Sequence, residues 1–134
     1  MDKRFKNWKK PIIKEGELTK WNWMVQGIEN FKLGEETDIG AFVYINAKAG
    51  VVVEDGVQIG AGTKIYSIST IDNKKGRVLL KKKCKIGANS IIMPGVTVGE
   101  NSIVGALSFV NRDVPNNVVV CGVPAKVIKE LDNV

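Results

Sequence analysis

The sequence predicts an all-β chain wound into a parallel β-helix. Three observations carry this: a surplus of β-branched residues, an aliphatic position that recurs every six residues, and a glycine or asparagine that often follows it. Ile and Val number 32 against 6 Leu, and side chains branched at Cβ favour strands over helices. The period starts at Leu33, runs through Ile39, Ile45 and Val51, slips by two to Val53, and continues through Ile59, Ile65 and Ile71. After an interruption it resumes at Leu80, Ile86, Ile92, Val98, Val104 and Val110. Four residues after most of these sits a second set, Thr37, Val43, Ala49, Val57, Thr63, Ser69, Cys84, Ser90, Val96, Ser102 and Ser108, all small or β-branched. None of these 25 positions is charged in a chain that is 25% charged, so the spacing predicts one buried stripe.

Gly34, Gly40, Asn46, Gly60, Gly87, Gly99, Gly105 and Asn111 directly follow aliphatic positions. Glycine and asparagine enter left-handed backbone at low cost, which suits corners. A short strand and a corner every six residues describe a coil with flat sides. Three hexads make one turn of about 18 residues, stacked on the next at about 4.8 Å. The 14 hexad starts then give four to five turns.

The repeat divides a chain of 134 residues, the length of one domain, into three parts. Residues 1–32 form an N-terminal basic arm and cap, 33–120 the β-helix with a polar loop at 72–77, and 121–134 a closing segment. In the arm, Phe5, Trp8 and Ile12 are spaced for one face of a helix among lysines, a pattern that fits an anionic membrane surface. Pro11 interrupts that face and favours a loosely ordered arm or a cap. Trp21, Trp23, Met24, Ile28 and Phe31 follow without clear periodicity. They suit a cover for the open end of the stack, or an aromatic wall for a ligand or a subunit contact. At the other end, Pro124 is placed to open a short helix at 125–131.

Charge and composition remove several classes of function. The net charge of +6 is an acidic body carrying two basic clusters, +5 over residues 1–14 and +7 over 74–85, which argues against a uniformly basic nucleic-acid surface. No apolar run is long enough for an integral membrane segment, and the basic start leads into no signal peptide, which favours a cytoplasmic protein. The chain has no histidine, so a Ser-His-Asp or Cys-His nucleophile, a His general base and a His-ligated metal are all excluded. Cys84 and Cys121 fit reduced thiols; Cys84 belongs to the buried stripe, and no activating base is visible for Cys121.

The run Ile86-Gly87-Ala88-Asn89-Ser90-Ile91-Ile92-Met93-Pro94-Gly95-Val96-Thr97-Val98-Gly99 resembles the signature of the hexapeptide-repeat acyltransferases, especially those acting on sugars and nucleotide sugars. Gly105-Ala106-Leu107-Ser108 and the later Gly122-Val123-Pro124-Ala125-Lys126 are similar to that family's closing segment. The resemblance covers roughly residues 30–130. It implies a single left-handed parallel β-helix, a homotrimer whose neighbouring subunits form each active site, and acetyl-CoA as co-substrate, with no metal. It points to backbone groups near Gly87, Ala88, Gly105 and Ala106, with Ser108 nearby, for coenzyme A, and to Lys126 for a phosphate. Singly, each of these residues is equally a corner glycine, a packing residue or a surface lysine.

Family members usually take the acceptor's proton with a histidine, which this chain lacks. An amine attacks a thioester through its own lone pair and needs no such base, so the reading favours N-acylation of an amino sugar, as part of polysaccharide or glycan synthesis. Asp72, at the mouth of the loop, is a candidate to accept a proton or orient an ammonium, and equally a turn-forming aspartate. Asn46 is a candidate to present its amide to substrate, with a corner role as the favoured alternative. The basic residues around 74–85 suit the phosphates of a nucleotide sugar, those of coenzyme A, or another polyanion. Two rival readings remain: a sugar O-acetyltransferase with a non-histidine base, and a non-catalytic β-helix that binds a ligand or scaffolds a partner.

Overall fold

The computed structural model describes residues 5–132; the ends of the basic arm and of the closing segment lie outside the described residues. Among the described residues, five stacked coils run from 24 to 122, and each of the first four contributes one strand to each of three flat sheets. The first coil holds β1 (Met24–Gln26), β2 (Phe31–Leu33) and β3 (Asp38–Ile39), and the second holds β4 (Tyr44–Asn46), β5 (Val51–Val53) and β6 (Gln58–Ile59). The third runs from β7 (Lys64–Tyr66) through a hairpin, β8 (Ile68–Ser69) and β9 (Lys74–Lys75), to β10 (Val78–Leu80) and β11 (Lys85–Ile86). The fourth holds β12 (Ile91–Ile92), β13 (Thr97–Val98) and β14 (Ile103–Val104). The fifth holds β15 (Phe109–Val110), a single bridge from Val114 to Val98, and β16 (Val118–Gly122). The strand β17 (Ala125–Glu130) follows.

Pairing between successive coils is parallel throughout. The first sheet runs β1-β4-β7-β12-β15, the second β2-β5-β10-β13, and the third β3-β6-β11-β14-β16. The first coil begins at Met24, inside the segment that the sequence assigns to a cap.

The inward residues form one core. Val25, Ile45, Ile65, Ile92 and Val110 stack at the centre of the first sheet, and Val53, Leu80 and Val98 in the second. The two-residue slip in the repeat is resolved on β5, where Val51 and Val53 both face inward. Buried Thr63 and Ser90 of the second hexad set donate their hydroxyls to the backbone of the next coil. Thr63 Oγ1 donates to the Gly87 carbonyl at 3.0 Å and Ser90 Oγ to the Gly105 carbonyl at 3.1 Å. Small hydroxyl residues thus bridge coils at corners that sheet bonds do not reach.

Three expectations are corrected. Ile71 is not in the core: its side chain is 99% exposed, because the chain leaves the coil after Ser67, turns at the hairpin tip, and rejoins the stack only at Val78. Ser69, expected to face inward, is half-buried in that hairpin. The expected helix at 125–131 is instead β17, antiparallel to β16. The β-branched Val127 and Ile128 suit a strand, and the outer edge of β16 offers unpaired backbone groups that a strand satisfies and a helix would not. Pro124 sits in the turn between the two strands.

The glycines after the aliphatic positions are also not there for left-handed backbone. None of the eight positions, six glycines and two asparagines, has a positive φ; two places beyond each of the six glycines lies a left-handed residue, at Glu36, Phe42, Gly62, Asn89, Asn101 and Leu107. Close approach explains the glycines instead. A Cβ on Gly40 would lie 2.6 Å from the amide nitrogen of Ala61, and one on Gly60 2.5 Å from that of Ala88. Any side chain there would push stacked coils apart.

Residues 5–23 cross the N-terminal end of the stack. Phe5 and Trp23 are buried, and Trp8 Nε1 donates to the Thr37 carbonyl at 2.8 Å. The Glu15 carboxylate accepts the N–H groups of Gly27 and Ile28 at 2.9 Å, which holds its pKa below the usual carboxylate range.

Candidate functional site

Two corners flank the first sheet, and the candidate residues divide between them. The corner entering that sheet carries the small pairs Gly87-Ala88 and Gly105-Ala106 in adjacent coils. A Cβ on Gly87 would lie 2.4 Å from the Ala106 amide nitrogen, and one on Gly105 would lie 2.9 Å from Cys121 Cβ. The Ala88 carbonyl accepts the Leu107 N–H at 3.0 Å. Ser108 is buried beside this corner; its Oγ donates to the Gly105 carbonyl at 2.6 Å and accepts the Gly122 N–H at 3.1 Å. On β17, exposed Lys126 pairs in register with Cys121. Gly87, Ala88, Gly105, Ala106, Ser108 and Lys126 therefore form one continuous strip. Lys64, not singled out from the sequence, adds a cation to the same corner, with Nζ donating to the Gly62 carbonyl at 2.7 Å.

The corner leaving the first sheet carries Asn46 and the hairpin. Asn46 Oδ1 accepts the Lys48 N–H at 3.2 Å and the Ser67 hydroxyl at 3.3 Å, while Ser67 Oγ accepts the Ala49 N–H at 2.9 Å. The Asn46 amide thus ties two coils at the foot of the hairpin, the corner role weighed from sequence. Asp72 lies at the hairpin turn, with Oδ2 at 3.6 Å from Lys74 Nζ. A hydrogen bond from the Ser69 side chain, helped by Lys74, holds its carboxyl below the usual aspartate range. It is a carboxylate at neutral pH and a weak base. The strands of the first sheet lie between this corner and the Gly87 strip, so the two corners sit at opposite edges of that sheet.

Sequence reasoning missed the residues on the outer face of that sheet. Tyr44 donates its hydroxyl to Gln26 Oε1 at 2.5 Å, and the Tyr44 and Tyr66 rings lie 5.7 Å apart at 56°. Partial burial raises the Tyr44 pKa. The signal was present for the tyrosines: Tyr44 and Tyr66 each sit one place from an inward hexad residue, Ile45 and Ile65, and so must face out, whereas Gln26 precedes the first hexad position read from the sequence. Their adjacency depends on the coil register, Asn46 against Tyr66 and Gln26 against Asn46, which alternation alone does not supply.

Cys84 adds no nucleophile. Burial pushes the Cys84 thiol up to about 12. Among the described residues, no three His, Cys, Asp or Glu side chains gather to hold a metal ion.

Two family models match the chain: the bacterial transferase hexapeptide model (six repeats) over residues 77–112, and the hexapeptide repeat of succinyl-transferase over residues 31–67. The chain belongs to the hexapeptide-repeat acyltransferase family. The left-handed β-helix of this family is its fold, in agreement with the stacked parallel coils.

Among curated relatives of this hexapeptide-repeat protein, galactoside O-acetyltransferase of Escherichia coli (strain K12) is 33% identical over 118 residues, covering 77% of the chain and 58% of that protein. The 2,3,4,5-tetrahydropyridine-2,6-dicarboxylate N-acetyltransferase of Clostridium perfringens is 41% identical over 76 residues, covering 57% of the chain and 32% of that protein. The chain thus spans less than two thirds of the length of these relatives. Among solved structures, a hexapeptide-repeat acetyltransferase from Vibrio cholerae complexed with acetyl coenzyme A superposes with a TM-score of 0.78 at 29% identity, covering 83% of the chain and 66% of the other. The N-acyltransferase AntD from Bacillus cereus, in complex with dTDP and 3-hydroxybutyryl-CoA, gives 0.69 at 28% identity, covering 83% and 65%.

Proposed function

We propose that the chain is an acyltransferase that moves the acyl group of an acyl-coenzyme A, acetyl in the first instance, to the amino group of a sugar or nucleotide sugar. One observation carries the choice of an amine: the chain has no histidine to act as a base, and the carboxylate at the hairpin corner, Asp72, is held low. A hydroxyl needs such a base; a neutral amine does not.

In this reading the Gly87 to Ala106 strip takes the pantetheine arm, since only small residues let an extended ligand lie against the main chain, and Lys126 meets a phosphate. Tyr44, Tyr66, Gln26 and Asn46 present rings and carboxamides to the acceptor. The amine lone pair forms the C–N bond at the thioester carbonyl carbon, and the C–S bond breaks. Coenzyme A leaves as thiolate, and the ammonium formed on nitrogen loses its proton to water. Asp72, fixed as a carboxylate, stabilises that positive charge. The acyl-CoA supplies the activated carbonyl; the chain supplies position and charge.

The acetyl coenzyme A in the Vibrio cholerae structure and the nucleotide in the AntD structure support this donor and acceptor class. The identity to an O-acetyltransferase favours a second reading, transfer to a sugar hydroxyl with a base other than histidine. The separation of the two corners within one chain supports a homotrimer in which one subunit's strip faces another's hairpin. The test is coenzyme A thiol release from acetyl-CoA across matched amino and hydroxyl sugars, free and nucleotide-linked. Turnover confined to hydroxyl acceptors overturns the amine preference. Acetyl-CoA binding without turnover on any acceptor returns the chain to a binding or scaffold role.

A further inference from the structure

The cap over the N-terminal end of the stack has an inner and an outer side. Ile13 packs on the core, and Phe5, Thr19 and Trp23 are buried. Between them, Ile12, Leu18 and Trp21 are 81%, 53% and 50% exposed. Three large apolar side chains within ten residues are thus turned to solvent on a segment whose other side already closes the core. Around them Lys9, Lys10, Lys14 and Lys20 are exposed, and Lys20 Nζ lies 5.4 Å from the Trp21 ring centroid. A groove of about 520 Å³ opens between Trp8, Trp21 and Trp23, with Lys9 and Lys20 among its lining residues.

We propose that this cap is a docking face for an anionic phospholipid bilayer, with Ile12, Leu18 and Trp21 entering the interface and the surrounding lysines meeting the head groups. Indole and aliphatic side chains partition into the interfacial region, and lysines beside them are attracted by the negative surface potential. Charge decides between occupants. Residues 5–23 carry five Lys and two Glu, and Glu15 is already engaged by the coil. A second copy of the same cap would bring like charge against like. A nucleic acid would leave Ile12 and Leu18 without a partner surface. The surface is separate from both corners of the candidate site and does not depend on the proposed activity.

The test is co-sedimentation of the full chain with vesicles of phosphatidylglycerol and phosphatidylcholine in equal parts, against phosphatidylcholine alone, at 0.1 and 0.5 M salt. The expected result is at least ten-fold tighter binding to the anionic vesicles, weakened at the higher salt. The double variant Ile12→Asp with Leu18→Asp should lose ten-fold or more of that binding with an unchanged melting curve, since both side chains are exposed. Lipids brominated on the acyl chain should quench indole emission in the native chain and fail to do so in Trp21→Phe. Binding that survives the double variant, or emission that is never quenched, assigns any attraction to the 74–85 lysines and overturns the proposal. Self-association of the chain that the double variant abolishes overturns it as well, in favour of a second copy.

Discussion

Gly87 and Ala106 are stacked one coil apart so closely that a Cβ on Gly87 would lie 2.4 Å from the Ala106 amide nitrogen and 2.8 Å from the Val104 carbonyl oxygen. All of these neighbours are backbone of the following coil, which leaves nothing flexible to yield. The contact defines the strip that the proposed thioester donor follows, and it is a packing constraint before it is a binding one.

Gly87→Ala should therefore destabilise the fold by about 2–3 kcal/mol, the cost of overpacking against rigid neighbours. Gly95 gives the contrast. Its φ is +82° and nothing lies within 4 Å of a Cβ placed there, so Gly95→Ala should cost only about 1 kcal/mol, the strain of left-handed backbone. Urea unfolding of the two variants separates them; equal losses would show that coil contact is not what holds Gly87.

The hexad positions made the stacked coils legible in the sequence, because burial on a flat-sided coil demands an uncharged residue at fixed intervals. Ile65, Ile92 and Val104 needed no structure to be placed inside. The reason for Gly87 did need it. A glycine looks the same whether it relieves a positive φ or a close contact, and only the neighbouring coil tells which. Ile71 kept the period and left the core because six residues are also the distance to the tip of a hairpin. The strand at Ala125–Glu130 was hidden by Pro124, whose preference for a first helical turn competes with a strand edge that sequence does not display. Of the candidate site, the small residues of the strip were legible as a motif, whereas Tyr44 beside Gln26 depended on which coils pair and in what register.

The Asp72 carboxyl, lowered by the Ser69 hydrogen bond and by Lys74, gives a pH prediction with a definite sign. A depressed folded-state pKa contributes stability above the unfolded aspartate value and loses it as pH falls through the folded value, a window below about pH 4. Carboxyl carbon NMR should place the Asp72 midpoint below that of an ordinary aspartate, and Ser69→Ala should move it up. Between pH 5 and 8 the group does not titrate, so kcat/KM for an amino sugar should rise only with deprotonation of the acceptor. An inflection near pH 6.5 that Asp72→Asn removes would contradict this.

Lys126 is exposed on β17, and its exchange for glutamate should leave the melting curve in place. If its charge meets a phosphate of coenzyme A, Lys126→Glu should weaken acetyl-CoA binding by about ten-fold in calorimetry at 0.1 M salt, with a smaller difference at 0.5 M. An unchanged affinity would remove Lys126 from the strip.

Cys121 provides a chemical test of the path itself. Its Cβ would lie 2.9 Å from a Cβ on Gly105, its register partner is Lys126, and its side chain is half-buried and free of any disulfide. Cys84 is buried in the core with its thiol pushed up to about 12, so it holds its proton and should not react while the chain is folded. Alkylation of the native protein should therefore label Cys121 alone, with the second thiol appearing only on denaturation. A donor lying along Gly87, Ala88, Gly105 and Ala106 would cover Cys121, so saturating acetyl-CoA should slow its labelling by five-fold or more. The alkylated protein should in turn lose acetyl-CoA affinity, while Cys121→Ala retains it, because the obstruction comes from the added group and not from the missing thiol. Labelling at the same rate with and without acetyl-CoA, in protein that binds it, would place the donor elsewhere on the coil.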